Sequence, residues 1–194
     1  MGAMSDAEAA LRASVAALPR GLREHVLRVV EEARRLAQRH GLDEERAAIA
    51  ALGHDLARGH TPGELLRLAA EAGLPVSDIE CAEPVLLHGP LGARLMAERY
   101  GIADEELLAA ARHHTTARAG MSALERLIFV ADKTEPHKAG DDVALAQARA
   151  LADESIDAAL RAILDRQVAR AAERGWPLHP DTVAARNELL LDGR

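Results

Sequence analysis

A chain of 194 residues with 48% hydrophobic but only 2% aromatic content can bury a sizeable core, and its Ala, Leu, Arg and Glu bias favours closely packed helices over a β-sandwich. The formal charge of -7 excludes a broad cationic footprint for nucleic acid, while leaving room for a small phosphate ligand held by metals and a few arginines. Cys81 is the single cysteine, so internal disulfides are excluded, and neither a signal peptide nor a bilayer-spanning apolar run is present; a cytoplasmic protein with no membrane partner is expected.

Met1-Gly2-Ala3-Met4 reads as a cloning remnant before a second start. Ser5-Asp6-Ala7-Glu8 is a capping box that opens a helix to about Leu18, ended by Pro19. A second helix from about Leu22 to His40 carries Val26, Val29, Val30, Ala33, Leu36 and Ala37 at helical spacing, with His25 beside the stripe and Gly41 as its stop. Asp43 caps a third, apolar on most faces and so expected to be central, which brings His54-Asp55 near its C-terminal end before the turn Arg58-Gly59-His60. Thr61-Pro62-Gly63-Glu64 starts a fourth helix, with Pro at its first position.

Gly73-Leu74-Pro75 breaks that helix, and Ser77 or Asp78 caps a short one through Cys81, whose thiol reads as a small buried hydrophobe. His88 falls just before a helix from about Pro90 to Tyr100. Asp104 caps the next, which ends at His113-His114-Thr115-Thr116, and the Ser122-Ala123-Leu124-Glu125 box opens a helix bringing Asp132 to its later turns. Residues 141–174 read as one long amphipathic helix, with a kink allowed, whose apolar face could pair two subunits as a homodimer. Gly175-Trp176-Pro177 breaks it, Trp176 is assigned to core packing, and a last helix covers about Asp181 to Leu191. The organisation expected is one domain: an N-terminal helix or remnant (1–20), a core (21–140) and C-terminal helices packing on it (141–194).

His54-Asp55 alone is a weak signal, because neighbours on a helix point about 100° apart and other helices must supply further ligands. His25, His88, His114 and Asp132 change that, since each falls at a helix end or late turn beside an apolar stripe. Mixed imidazole and carboxylate donors suit Fe, Mn, Co, Ni or Zn, and the lack of thiolates argues against a structural zinc. Six donors exceed the need of one ion, whereas two ions roughly 3.5–4 Å apart and sharing a carboxylate would use them.

The series His25, His54-Asp55, Asp132 resembles the H…HD…D motif of the HD-domain metal-dependent phosphohydrolases. Leu87-His88-Gly89-Pro90, His114-Thr115-Thr116, Met121-Ser122 and Ala131-Asp132 followed by Glu135-Pro136 resemble, in order, the YqeK-like branch of symmetrical diadenosine tetraphosphate hydrolases, over about residues 20–190. The resemblance implies an all-α HD-domain helical bundle and two transition-metal ions, iron first among the alternatives. His25, His54, Asp55 and Asp132 would hold one ion; Asp55, as bridge, with His88 and His114 would hold the other. Water between them would become the hydroxide that attacks an inner phosphorus, releasing two nucleoside diphosphates.

Arg58, where these relatives commonly carry lysine, is the further catalytic candidate and, with Thr115, Thr116, Arg118 and Lys133, a substrate contact. His113 is the lesser member of its pair. His40 reads as a charge partner for a helix C-terminus; His60, His137 and His179 read as solvated, His137 near the mouth of the site. Lys133-Thr134, and Gly53 in place of a bulkier apolar residue, depart from the family pattern. With Tyr100, Phe129 and Trp176 as the only aromatics, recognition of the base is the open question, and arginine stacking could substitute. Lys133 and Lys138 are the only lysines, a bias read as genomic. The competing readings are another nucleotide or phosphoester as substrate, oxygen activation at a di-iron pair, and a non-catalytic nucleotide-binding regulator.

Overall fold

The computed structural model describes residues 2–140 and 142–192, all helix, turn and loop, as the composition leads one to expect. The first helix, α1 (Gly2–Ala16), begins upstream of the expected start, and the Ser5 capping contact lies outside the described side chains. α2 (Arg20–His40) buries Val26, Val29, Val30, Ala33, Leu36 and Ala37, and ends where Gly41 turns left-handed at φ 69°, a conformation glycine adopts without a Cβ penalty. Asp43 then accepts hydrogen bonds from the backbone N–H groups of Glu45 and Arg46 to cap α3 (Glu44–Gly53), which is buried from Ala47 to Gly53. α3 packs against α2 and also meets α1, α6 (His88–Tyr100), α7 (Glu105–His113) and α8 (Ala123–Thr134), so the helix expected to be central is.

Small residues let these helices approach closely. A Cβ on Gly53 would lie 2.2 Å from Met96 Sδ of α6, so the volume a bulkier residue would occupy there is filled by that thioether. A smaller apolar cluster, built on Ala57, Leu65, Ala69, Leu87 and Leu91, seats α4 (Pro62–Glu71). Capping boxes at Thr61, Ser77 and Ser122 form as the sequence predicts, Ser77 opening α5 (Asp78–Ala82).

As expected, His54 and Asp55 come at the C-terminal end of α3, His54 as its cap, while α6 starts two residues early, at His88, after a 3-10 turn over Pro84–Leu87. Three expectations give way. Cys81 is exposed, because α5 buries none of its residues. The 141–174 stretch is two helices, α10 (Val143–Ala152) and α11 (Ile156–Arg174), parted where Ser155 accepts from Ala158 N–H and Asp153 is held at 2.5 Å by Arg35 of α2. The two helices pack on each other and on α8, while Val143 and Leu151 of α10 remain exposed. Trp176 is 50% exposed in the loop between α11 and α12 (Pro180–Asp192), outside the core. A short α9 (Pro136–Gly140) was not expected.

Candidate metal centre

Three histidines reach the centre by the same local device. His54 follows α3, His88 opens α6 and His114 follows α7. Each places its Nδ1 against the carbonyl three residues earlier: Ala51 O at 2.6 Å for His54, Val85 O for His88, and Ala111 O at 2.7 Å for His114. A carbonyl only accepts, so Nδ1 carries the proton and Nε2 presents its lone pair inward. His25, from α2, turns Nδ1 towards Glu135 Oε1 at 3.4 Å and Nε2 to Asp132 Oδ1 at 3.0 Å. Backing of this kind on the outer nitrogen is typical of metal-ligating imidazoles.

Asp55 stands between two pairs of rings. Its Oδ2 lies 3.6 Å from His25 Nε2 and 3.5 Å from His54 Nε2, while Oδ1 lies 3.2 Å from His88 Nε2 and 3.5 Å from His114 Nε2. Asp132 Oδ1 adds a second carboxylate 3.9 Å from His54 Nε2. Donor atoms of His25, His54 and Asp55, of Asp55, His88 and His114, and of His54, His114 and Asp132 fall within 4.8 Å of one another in each trio.

Two features indicate that a cation fits. His54 Nε2 is buried with no hydrogen-bond partner among the described residues, a position that is costly unless something accepts its lone pair. The Nε2 atoms of His88 and His114 are 2.9 Å apart, and with both Nδ1 protons directed at carbonyls their lone pairs face each other. A cation between them converts repulsion to coordination, and the all-N/O donor set suits a first-row transition metal.

The electrostatics agree. Burial pushes the Asp55 carboxyl up, but His54, His114 and His88 outweigh it and hold the group well below the usual carboxylate range. Burial likewise opposes ionisation of Asp132, and Lys133, Lys138 and His25 overcome it. Burial drives His114 down to about 4, against the pull of Asp55, so its ring is neutral and free to coordinate near pH 7. For His54 burial also lowers the pKa, yet Asp55 and Asp132 outweigh it and raise it: the two carboxylates draw positive charge to this point.

The remaining candidates scatter. Thr115 Oγ1 lies 3.1 Å from His114 Nε2 and 3.3 Å from His88 Nε2, at the edge of the centre. Lys133 Nζ is 2.5 Å from Asp132 Oδ2 and donates to His114 O at 2.9 Å. Thr116 accepts from Thr182 Oγ1 through its carbonyl and lines a neighbouring cavity. Arg58 is exposed, in the turn after Asp55, with its backbone N–H on Asp55 O. Arg118 is not brought in: its guanidinium is paired with Glu125 at 2.8 Å, and it lines a separate cavity with His113. His40 meets the C-terminal carbonyl of α10 at Ala152, and His60 and His137 are exposed, whereas His179 is largely covered and lines the cavity beside Thr116.

Ala117 closes the turn after His114-Thr115-Thr116 with its N–H on His113 O, at φ 58°. An alanine held left-handed costs about 1–2 kcal/mol, which the packing around this fully buried residue sustains.

Two contributors were missed. Lys138 Nζ lies 2.7 Å from Asp132 Oδ1, so both lysines of the chain converge on one carboxylate, a signal present in the sequence but read as compositional bias. Glu135, buried, supports His25 and is fixed by Arg28 at 2.7 Å and by the His137 N–H at 2.9 Å. Its place three residues after Asp132 was the available clue. Glu135→Ala is expected to weaken metal binding roughly 10- to 100-fold, as loss of such outer support does elsewhere, read by competition with a chromophoric chelator. Unchanged affinity would show that His25 needs no orienting partner.

The HD domain sequence profile matches residues 22–137. The symmetrical bis(5'-nucleosyl)-tetraphosphatase of Halalkalibacterium halodurans is 37% identical over 169 residues, 87% of this chain and 89% of that protein. The protein of the same name from Bacillus subtilis is 34% identical over 166 residues, 86% and 88% of the two chains. Among solved structures, a protein from Clostridium acetobutylicum described as a predicted HD superfamily hydrolase involved in NAD metabolism superposes with a TM-score of 0.83 at 34% identity over 87% of this chain and 88% of that one.

Proposed function

The chain belongs to the HD domain family, and from that membership we propose that it is a metal-dependent hydrolase which cleaves diadenosine tetraphosphate symmetrically into two molecules of ADP. The relatives named for that activity support the substrate. The observation that carries the chemistry is Asp55, with one carboxylate oxygen towards His25 and His54 and the other towards His88 and His114. That is the disposition of a bridging ligand for two ions.

We assign iron first, with Mn, Co, Ni and Zn as alternatives. Bound there, such ions would supply an activated water and neutralise charge on the phosphoryl oxygens. The protein's own part is positional. His25, His54 and Asp132 would fix one ion, His88 and His114 the other, and Asp55 would set their spacing. Lys133 and Thr115, at the edge of the centre, would meet the polyphosphate as it enters. Arg58, exposed one turn beyond Asp55, can grip a further phosphate bidentately. Arg118, paired with Glu125, lines a separate cavity with His113. No described helix is long and apolar enough to cross a membrane, and a nucleotide substrate fits a cytoplasmic enzyme.

Protein stripped with chelator and reloaded with Fe(II), Mn(II) or Co(II) is expected to release ADP as the sole nucleotide from diadenosine tetraphosphate. ATP with AMP would overturn symmetrical cleavage. Turnover of NAD or another phosphoester in preference to the tetraphosphate would overturn the substrate.

A further inference from the structure

A cavity of about 650 Å³, within the range of roughly 300–1,000 Å³ usual for small-molecule sites, lies directly beside the metal centre. Thr115, Thr116 and Lys133 form its wall on that side. Trp176, Leu178 and His179, of the loop after α11, line it as well. Thr115 and Lys133 touch the His88, His114 and Asp132 cluster, so one cavity is lined both by residues of the ion site and by an indole.

That indole is unusual for this chain. Trp176 is its only tryptophan, in a protein with 2% aromatic residues, and it stands 50% exposed. The guanidinium carbons of Arg174 and Arg170 lie 4.8 and 5.7 Å from its ring centroid, and such cation–π contacts hold an aromatic in place. Arg170 also lines the cavity. Apolar side chains of Val85, Leu86 and Leu178 and the amide of Gln167 complete the surroundings that a flat heteroaromatic with polar edges requires.

We propose that this cavity receives the nucleoside half of the substrate, its base stacked on Trp176 and its phosphates running past Lys133 and Thr115 to the ions. Trp176 is thus the residue by which this chain recognises the base. The proposal rests on the nucleotide reading above, but it can be tested without turnover.

As the sole tryptophan, Trp176 reports on its own environment. ADP titrated into the full-length, metal-loaded protein should quench its fluorescence saturably, whereas inorganic tripolyphosphate, which carries phosphate charge and no base, should bind without quenching. By calorimetry, Trp176→Ala should bind ADP roughly 5- to 150-fold more weakly with tripolyphosphate affinity unchanged, the span expected for one base–aromatic stack, and Trp176→Phe should recover most of the loss. Equal quenching by tripolyphosphate, or wild-type ADP affinity in Trp176→Ala, would overturn the assignment. If diadenosine tetraphosphate proves not to be the substrate, the contrast between ADP and tripolyphosphate still decides whether Trp176 holds a base.

Discussion

Asp55→Ala is expected to empty the centre of both ions and to lower turnover by at least about 10³-fold, beyond the roughly 10- to 100-fold that follows loss of an outer-shell partner. Asp55 is buried, and among the described residues it is the one carboxylate within 4 Å of all four imidazoles, each oxygen facing two of them. Without it, His88 and His114 keep lone pairs 2.9 Å apart and nothing between the two halves fixes ion spacing. Asp55→Asn provides the sharper comparison, because it preserves volume while removing the charge and one anionic oxygen. It should fold as the parent does and still fail to retain metal after desalting. Elemental analysis beside a steady-state assay reads both effects, and full metal content in either variant would show that Asp55 does not bridge.

Gly89→Ala is expected to destabilise the protein by about 1–3 kcal/mol, the usual cost of forcing a methyl into a packed interior, and to impair metal binding as well. A Cβ there would sit 2.6 Å from the Arg112 carbonyl oxygen and 3.2 Å from that of Ala111. Both atoms are backbone and cannot swing aside as a side chain would. Gly89 follows His88 directly, and Ala111 O is the acceptor that orients His114, so relief of the clash moves two of the proposed metal-binding histidines apart. For a chain of this size each kcal/mol corresponds to roughly 2–4 °C in Tm, so a drop of several degrees is expected. Gly21→Ala is the control: a Cβ in that first turn of α2 meets nothing within 4 Å, and the change should be neutral or slightly stabilising. Equal melting of Gly89→Ala and the parent would contradict the close packing of α6 on α7.

What could be read in the sequence was local chemistry and its periodicity. The Thr61, Ser77 and Ser122 boxes involve side chain and backbone three residues apart, so four letters suffice to predict them. The buried face of α2 follows from spacing alone. Helix ends were also legible, and because the histidines of the centre sit at those ends their convergence could be anticipated, although not the carbonyl behind each ring. What stayed hidden depends on distant partners. The break at Asp153-Glu154-Ser155 contains no glycine or proline, and is pinned in part by Arg35, 118 positions earlier. Arg118 looked free for phosphate until Glu125 came within reach across the turn that starts α8. Trp176 looked like core, as large aromatics usually are, because nothing local reveals that its neighbours are guanidiniums beside a cavity. Lys133 and Lys138 were visible as the chain's only lysines, but their meeting at Asp132 needed the turn between α8 and α9.

The central claim is a two-ion cage divided by one carboxylate, and the stoichiometry of metal binding tests it most directly. Chelator-stripped protein titrated with Mn(II) or Co(II) under calorimetry should take up two equivalents per chain. Saturation at one equivalent, or no binding, would contradict the cage and the bridging place of Asp55 within it.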